Sequence, residues 1–228
     1  MAPARGEARL VSSGRPWLVF LLDERIIREQ DHVVNDVDPT IPAMSRRIDL
    51  HVLAGFQLLD LTGPLTVFEF AEEIAPGSYR TAVISEAGGA VTASSGLEVT
   101  TVSPSESRDT LIIVGGYTVD AATASQATVD AVKLLASRSR RTASVCTGAI
   151  LLAATGLLDG RRATTHWRFA VRLQSRYPKV KVDADKIFIK DGAVWTSAGI
   201  TAGIDLALAL VEDDLAHPIH RAEVHSAS

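Results

Sequence analysis

The chain is poor in the features that mark disulfide-stabilised, membrane-embedded or nucleic-acid-binding proteins. One cysteine among 228 residues excludes an internal disulfide. A lone thiol of this kind is either buried packing or a nucleophile. A formal net charge of −4 gives no electrostatic reason to bind nucleic acid or a membrane surface. The rest of the composition, 46% hydrophobic and 22% charged, is typical of a globular protein.

The first 43 residues differ in pattern from the rest. Their one apolar run, residues 17–22, is shorter than the ~20 residues of a membrane helix and shorter than the apolar region of a secretory signal. Residues 31–42 carry two prolines and little periodicity, which is typical of a linker. We therefore predict a cytoplasmic protein in which residues 1–43 are an extension without a functional role and Met44 is the natural start. A short accessory arm is the alternative.

From residue 48 onward, strand-like and helix-like patterns alternate. Apolar runs predict strands at residues 48–53, 79–84, 97–102, 111–114, 142–145, 163–165, 187–189 and 194–196. Helical spacing predicts helices from Pro64 onward and at residues 131–135, 148–154, 169–177 and 204–211. Asp191 and Gly192 predict a hairpin between the last two strands. This order predicts one α/β domain over residues 44–215, with a mostly parallel sheet covered by helices on both faces, and a tail at residues 216–228.

The strongest chemical signal is a strand that runs directly into a helix at Cys146. No loop separates the buried strand 142–145 from the small and apolar helix 148–154, which is the layout of a nucleophile elbow with cysteine in place of serine. Such a thiol projects above the carboxyl ends of the strands, beside the positive end of a helix. That environment can lower a thiol pKa from about 8.5 to roughly 3.5–7.5. We therefore favour a functional thiol over a buried packing residue.

A second candidate is Asp60, which stands between two leucines shortly after the first strand. A carboxylate in such a position must be solvated, paired with a cation or hydrogen-bond donor, or used in the chemistry of the protein. It either caps the helix that we expect to begin near Pro64, for which Thr62 is better spaced, or it hydrogen-bonds the thiolate and exchanges protons with substrate.

Three further features accompany these two residues. Gly116 follows a buried strand and is either a plain turn or a backbone donor of the oxyanion-hole type. His166, 20 residues after Cys146, either reaches the thiol or is structural. The clustered arginines, Arg140 and Arg141 among them, are most simply a solvated rim, and the histidines form no metal-ligand spacing with the cysteine.

Together these stretches resemble the ThiJ/PfpI family of the class I glutamine amidotransferase-like superfamily. The resemblance lies in DLTGP at 60–64, VGG at 114–116, SVCTGA at 144–149, GLLDG at 156–160 with ATTHW at 163–167, and SAGITAGID at 197–205. It runs in order over residues 47–215. It implies a flavodoxin-like sandwich and often a homodimer. We also expect a small-molecule substrate or ligand, and neither a cofactor nor a metal.

Two branches of the family are similar to this chain. One is isocyanide hydratase, a lyase that adds water to an isocyanide. The other is the sensor half of AraC-type transcription regulators, which the tracts TSAG at 196–199 and VEDDL at 211–215 resemble. The resemblance implies catalytic roles for Cys146, Asp60 and Thr147, an oxyanion role for the backbone of Gly116 and Thr147, and pocket positions for Gly63, His166, Gly199 and Thr201.

Two departures from the family narrow these expectations. Thr147 stands where family proteases place histidine, which speaks against amidase or protease activity. Only 13 residues follow Leu215, whereas a helix-turn-helix needs two helices and a turn. We therefore expect no direct nucleic-acid binding, and two functions stay open: a cysteine-dependent hydro-lyase, or a non-catalytic ligand-sensing module.

Overall fold

The computed structural model describes residues 45–105, 108–123 and 125–215. The predicted extension and tail lie outside the described residues. The strands are β1 (Arg46–His51), β2 (Tyr79–Ile84), β3 (Gly89–Thr92), β4 (Glu98–Thr101), β5 (Thr110–Ile113), β6 (Arg141–Val145), β7 (Arg162–Ala163), β8 (Lys181–Val182), β9 (Phe188–Asp191) and β10 (Val194–Ser197). The helices are α1 (Leu58–Ile74), α2 (Val119–Ala122), α3 (Gln126–Ser137), α4 (Gly148–Ala154), α5 (Trp167–Arg176) and α6 (Ala202–Leu215).

A six-stranded sheet in the order β2-β1-β5-β6-β10-β9 organises the fold. All neighbouring pairs are parallel except β10 with β9, which form the predicted antiparallel hairpin. Every residue of β5 and β6 is buried, because helices cover the central strands on both faces. The predicted α/β class, with a mostly parallel, flavodoxin-like sheet, is confirmed.

The apolar core lies in two layers, one on each face of the sheet. On one face the sheet packs against α1 and α6 through Ile48, Leu50, Phe68, Leu206 and Leu210. On the other it packs against α3, α4 and α5 through Leu111, Ile113, Val132, Ile150 and Leu173. Burial of these side chains on both faces supplies the main driving force for the fold and holds the carboxyl ends of the strands in fixed positions.

Several boundaries differ from the sequence-based prediction. Helix α1 begins at Leu58 rather than near Pro64, because the side chain of Gln57 caps it by accepting from the Leu58 amide. Pro64 therefore lies inside the helix, where its missing N–H removes one backbone bond. Strand β3 (Gly89–Thr92) is absent from the sequence-based prediction. Strand β7 pairs with β8 outside the central sheet.

The amino ends of the strands carry an ion-pair cluster around a buried carboxylate, which we call the Asp214 network: Asp214 with Arg46, Arg140, Arg141 and Tyr79. Arg140 Nη2 donates to Asp214 Oδ1 at 2.8 Å, and Arg141 pairs with the other carboxylate oxygen. The Tyr79 hydroxyl also donates to it at 3.2 Å. Arg141 is only 2% exposed, so the prediction of a solvated arginine rim is wrong for this residue: a buried carboxylate binds it.

Candidate active site

The strand-to-helix turn predicted at Cys146 is present at the opposite edge of the sheet. Strand β6 ends at Val145 and α4 begins at Gly148. Cys146 has φ of 57°, in the left-handed region that non-glycine residues avoid at a cost of about 1–2 kcal/mol. Strain of this kind persists only where the surroundings enforce it.

Backbone and hydroxyl contacts enforce that conformation. The Cys146 amide donates to the carbonyls of Ser197 and Ala198, each at 3.2 Å, at the carboxyl end of β10. The Cys146 carbonyl accepts from the Thr165 hydroxyl at 2.8 Å. The turn is therefore held by β10 on one side and by the segment after β7 on the other.

Gly115 allows three parts of the site to meet. A Cβ at this position would lie 2.7 Å from Cys146 Cβ, 2.8 Å from Asp60 Oδ2 and 2.8 Å from the Thr147 amide nitrogen. No side chain fits there without displacing the thiol or the carboxylate. The end of β5, the turn at Cys146 and the first turn of α1 therefore converge on this glycine.

Asp60 lies beside the thiol, in the first turn of α1 rather than in a loop. It is fully buried, and neither carboxylate oxygen has a hydrogen-bond partner of standard geometry among the described residues. Burial raises the pKa of Asp60 to about 6, against smaller opposing effects of the nearby Cys146 thiol and Ile200 amide. A pKa close to neutrality suits a group that takes up and releases protons.

The thiol is harder to ionise than the sequence suggested. Burial and the neighbouring Asp60 charge raise the pKa of Cys146 to about 12. The Thr147 amide at the start of α4 favours the thiolate, as expected of a helix N-terminus, but its effect is smaller. At neutral pH the resting pair is therefore a thiol next to a carboxylate, with one proton between them.

Thr147 and Gly116 form a reciprocal pair of hydrogen bonds. The Thr147 hydroxyl accepts from the Gly116 amide and donates to the Gly116 carbonyl, both at 2.8 Å. The Gly116 amide, expected as an oxyanion donor, is thus already occupied. The Thr147 amide is the backbone donor that acts on the sulfur.

A pocket of about 410 Å³ opens in front of the thiol. Its walls are Gln57, Gly116, Tyr117, Cys146, Thr147, His166, Arg168, Phe169 and Ile200. Four residues predicted from the sequence therefore line it: Cys146, Thr147, Gly116 and His166. Asp60 lies beside the thiol, outside the lining.

His166 is held as a neutral imidazole at the pocket wall. Its Nδ1 accepts from the Arg168 amide at 3.3 Å, where it caps α5. Partial burial and the Arg168 charge lower its pKa. With Nδ1 as acceptor, the proton of the neutral ring is on Nε2. Gly199 supports this ring, because a Cβ there would lie 2.1 Å from His166 Cδ2.

Gly63 and Thr201, which were also expected at the pocket, lie elsewhere. A Cβ on Gly63 would lie 2.8 Å from Ile204 Cγ1, so this glycine permits close packing of α1 on α6. Thr201 is exposed, and its carbonyl accepts from the Ile204 amide at 2.9 Å. Gly63 therefore faces a neighbouring helix and Thr201 is exposed, and neither is among the residues that line this pocket.

Sequence reasoning missed five lining residues: Gln57, Tyr117, Arg168, Phe169 and Ile200. Tyr117 directly follows Gly116, and Arg168 and Phe169 follow His166, so proximity to predicted positions was the available signal. Ile200 has φ of 53°, a rare conformation for a β-branched residue, and nothing in its sequence context indicates this.

Within the described residues, no group of three or more His, Cys, Asp or Glu side chains could hold a metal ion. In the same part of the chain, no helix combines the length and apolar character needed to cross a membrane. Fold and site together define an α/β protein with a buried cysteine–aspartate pair facing a small pocket.

Several known proteins are similar to this chain in sequence. Residues 46–213 match the sequence model of the DJ-1/PfpI family. The isonitrile hydratase of Pseudomonas putida is 34% identical over 173 residues, 75% of this chain and 72% of that protein. The HTH-type transcriptional regulator CdhR of Pseudomonas aeruginosa is 34% identical over 171 residues, 74% of this chain but 50% of the regulator.

Solved structures agree on the fold. A THiJ/PfpI family protein from Pseudomonas syringae superposes with a TM-score of 0.67 at 26% identity, covering 78% of this chain and 74% of that one. An AraC family transcriptional regulator from Pseudomonas putida superposes with a TM-score of 0.63 at 21% identity, covering 74% and 92%. The chain belongs to the DJ-1/PfpI family.

Proposed function

We propose that this protein is a cysteine-dependent hydro-lyase that adds water to a small electrophile of the isonitrile (isocyanide) class. The observation that carries the proposal is the buried pair of Cys146, which lines a pocket of about 410 Å³, and Asp60, which lies beside the thiol. A fully buried carboxylate without a hydrogen bond of standard geometry to a described residue is costly to the fold, which favours a functional role. The 34% identity to an isonitrile hydratase supports the substrate class.

The first step forms a carbon–sulfur bond. The Cys146 sulfur attacks the terminal isonitrile carbon while the Asp60 carboxylate takes the thiol proton. Asp60 then delivers this proton to the same carbon, which leaves a thioimidate on the cysteine. A base with a pKa of about 6 suits both proton transfers, because near neutral pH it can accept a proton and release it again at little cost in free energy.

The second step consumes water. Water attacks the thioimidate carbon, the carbon–sulfur bond breaks, and the product is an N-substituted formamide. Of the two water protons, one goes to the nitrogen and one restores the Cys146 thiol through Asp60. The Thr147 amide, directed at the sulfur, stabilises the negative charge that develops there.

Formamide production by the purified protein tests this function. We expect turnover of an alkyl isocyanide that Cys146→Ala abolishes and Asp60→Asn lowers by roughly 10²–10⁴-fold, the usual contribution of a positioned acid–base group. Asp159→Asn, which alters an exposed carboxylate paired with Lys179, serves as the matched control and keeps full activity. Turnover that survives in Cys146→Ala would refute the mechanism.

A ligand-sensing module is the second candidate. The similarity to CdhR, of which this chain matches about half, favours it. In that role the same pocket would bind a ligand saturably, or Cys146 would oxidise reversibly, in either case without turnover. Calorimetric binding of an isocyanide or formamide with no product formed would favour the module over the enzyme.

The assembly and its partners also belong to this proposal. We infer a homodimer that binds a small molecule and makes no direct contact with nucleic acid. The net charge of −4 supports the latter. Light scattering is expected to give twice the 24.3 kDa chain mass, and a monomeric mass would contradict the dimer.

A further inference from the structure

The pocket in front of Cys146 has one formally charged side chain among its described lining residues, Arg168. The other ionisable lining groups are Cys146, Tyr117 and His166. The cysteine pKa is raised and the histidine pKa is lowered, so both are neutral near pH 7. The lining therefore carries a single positive charge, with no carboxylate among its members to balance it.

Arg168 differs from the other arginines of the same helix. Arg172 and Arg176 both pair with Asp120. Arg168 makes no ion pair with any residue in the described parts of the chain. Its guanidinium carbon lies 6.0 Å from the centroid of the exposed Trp167 ring. An unpaired guanidinium at a pocket wall is suited to bind a carboxylate in bidentate fashion.

Neighbouring groups add donors rather than acceptors. His166 holds its proton on Nε2, since Nδ1 accepts from the Arg168 amide. The side-chain oxygen of Gln57 accepts from the Leu58 amide and from the Ser94 hydroxyl, each at 3.2 Å. No described residue accepts from its amide nitrogen. The polar part of the wall thus favours an anionic partner, while Phe169 and Ile200 present apolar surface.

The Asp60 carboxylate limits where a negatively charged group can lie on a bound ligand. This carboxylate lies beside the thiol and repels a second negative charge near the reacting carbon. We propose that this pocket selects small molecules that carry a carboxylate at the end remote from the electrophilic carbon, and that Arg168 is the residue that selects them. The proposal deepens the function proposed above and rests on it for the nature of the electrophile.

A pair of isosteric thiol reagents tests the charge preference directly. 3-Maleimidopropionate and its neutral amide share one electrophile and differ only at the far end. The thiol adds across the maleimide double bond, so the sulfur bonds one carbon, the proton goes to the other, and nothing leaves. Because Cys146 is the only cysteine of the chain, a single mass increase reports modification of this site alone.

We expect the ratio of the two rate constants, carboxylate over amide, to fall roughly two- to fivefold in Arg168→Gln, the range of an exposed ion pair. Arg172→Gln removes the same charge one turn further along α5, outside the pocket lining, and should change the ratio less than about twofold. A ratio that Arg168→Gln leaves unchanged, or that Arg172→Gln lowers equally, would overturn the proposal.

A binding measurement tests the same charge preference without requiring the Cys146 thiol to react with a maleimide. Calorimetry with 3-phenylpropionate and 3-phenylpropionamide should show tighter binding of the acid, and Arg168→Gln should abolish that difference. Equal affinities in the unmodified protein would overturn the charge preference. Neither readout needs turnover. A failed hydratase assay would therefore refute the reaction but not this selectivity, and a failed selectivity measurement would refute the selectivity but not the reaction.

Discussion

The two ends of the central sheet bury carboxylates in opposite ways. At the amino ends, Asp214 is 4% exposed and is bound by Arg140, Arg141 and the Tyr79 hydroxyl. At the carboxyl ends, Asp60 is fully buried and has no standard hydrogen bond to a described residue. A compensated buried charge serves the fold, whereas an uncompensated one with a pKa near neutrality is suited to chemistry.

Backbone geometry shows the same contrast. The non-glycine residues with left-handed φ in the described chain, Cys146 and Ile200, are both at the pocket. Backbone strain and the buried Asp60 carboxylate therefore lie together at the carboxyl ends of the strands, whereas the Asp214 network lies at the amino ends. The favourable packing of the two apolar layers between them offsets the cost.

The largest expected effect comes from breaking the Asp214 network. Asp214→Asn should lower the free energy of unfolding by about 3 kcal/mol, because it leaves the buried Arg141 with only the more distant, partly exposed carboxylate of Asp213 at 3.6 Å. Urea denaturation measures this. The exposed pair of Asp159 and Lys179 provides the control, since Asp159→Asn should cost less than about 1 kcal/mol. A small loss for Asp214→Asn would remove the contrast between the two ends.

Asp60→Asn should instead raise the free energy of unfolding near neutral pH. The folded-state pKa of Asp60, about 6, exceeds its ordinary value of 3.8, so ionisation costs stability as the pH rises between these values. Above pH 6 the full cost is present, and the variant should be more stable than the unmodified protein by about 2–3 kcal/mol. Below pH 4 the advantage should disappear. Urea unfolding at pH 4 and pH 7.5 measures both, and destabilisation at pH 7.5 would contradict the assignment.

Replacing Cys146 with two small residues probes the strained turn. Alanine is normally more stable than glycine, but a left-handed φ reverses that order. Cys146→Gly should therefore be more stable than Cys146→Ala by about 1 kcal/mol, as thermal unfolding of the two variants would show. If alanine proves the more stable, the turn carries little strain.

The smallest expected effect concerns acid stability near the network. Hydrogen bonding and the charge of Lys190 lower the pKa of Asp213 despite opposing burial. Its contribution is present above the unfolded value of 3.8 and is lost as the pH falls through the lower folded value. Asp213→Asn should remove this part of the acid dependence, less than about 1 kcal/mol since the pair is partly exposed. An unchanged acid profile in the variant would mean that the pair contributes nothing.

Prediction from the sequence succeeded where one local pattern dominated. The bounds of β2 and α4 match at both ends, because each is a short apolar run between polar or turn-forming residues. The start of α1 was misplaced because Pro64 resembles a first helical residue, whereas the helix begins at a Gln57 cap, a residue type with weak capping preference.

The site residues also divide into those that a local sequence pattern indicated and those that it did not. Cys146, Thr147, Gly116 and His166 were predicted and do line the pocket. Gly63 was also predicted at the pocket but packs against Ile204 of α6, and the sequence does not show whether a glycine faces a ligand or a neighbouring helix. Arg168 was missed, because an exposed arginine on a helix has no local feature that separates it from Arg172.

The sequence by itself determined the alternation of strands and helices, the single thiol and its place directly after a buried strand, since these follow from local periodicity and composition. Only the tertiary structure decided what surrounds each charged group. It brought Asp60 beside Cys146 without a standard hydrogen bond to a described residue, buried Arg141 against Asp214, and left Arg168 unpaired among the described residues at the pocket. The physical reason is that pKa values and charge pairing depend on distances and burial across the fold, which the order of residues along the chain does not specify.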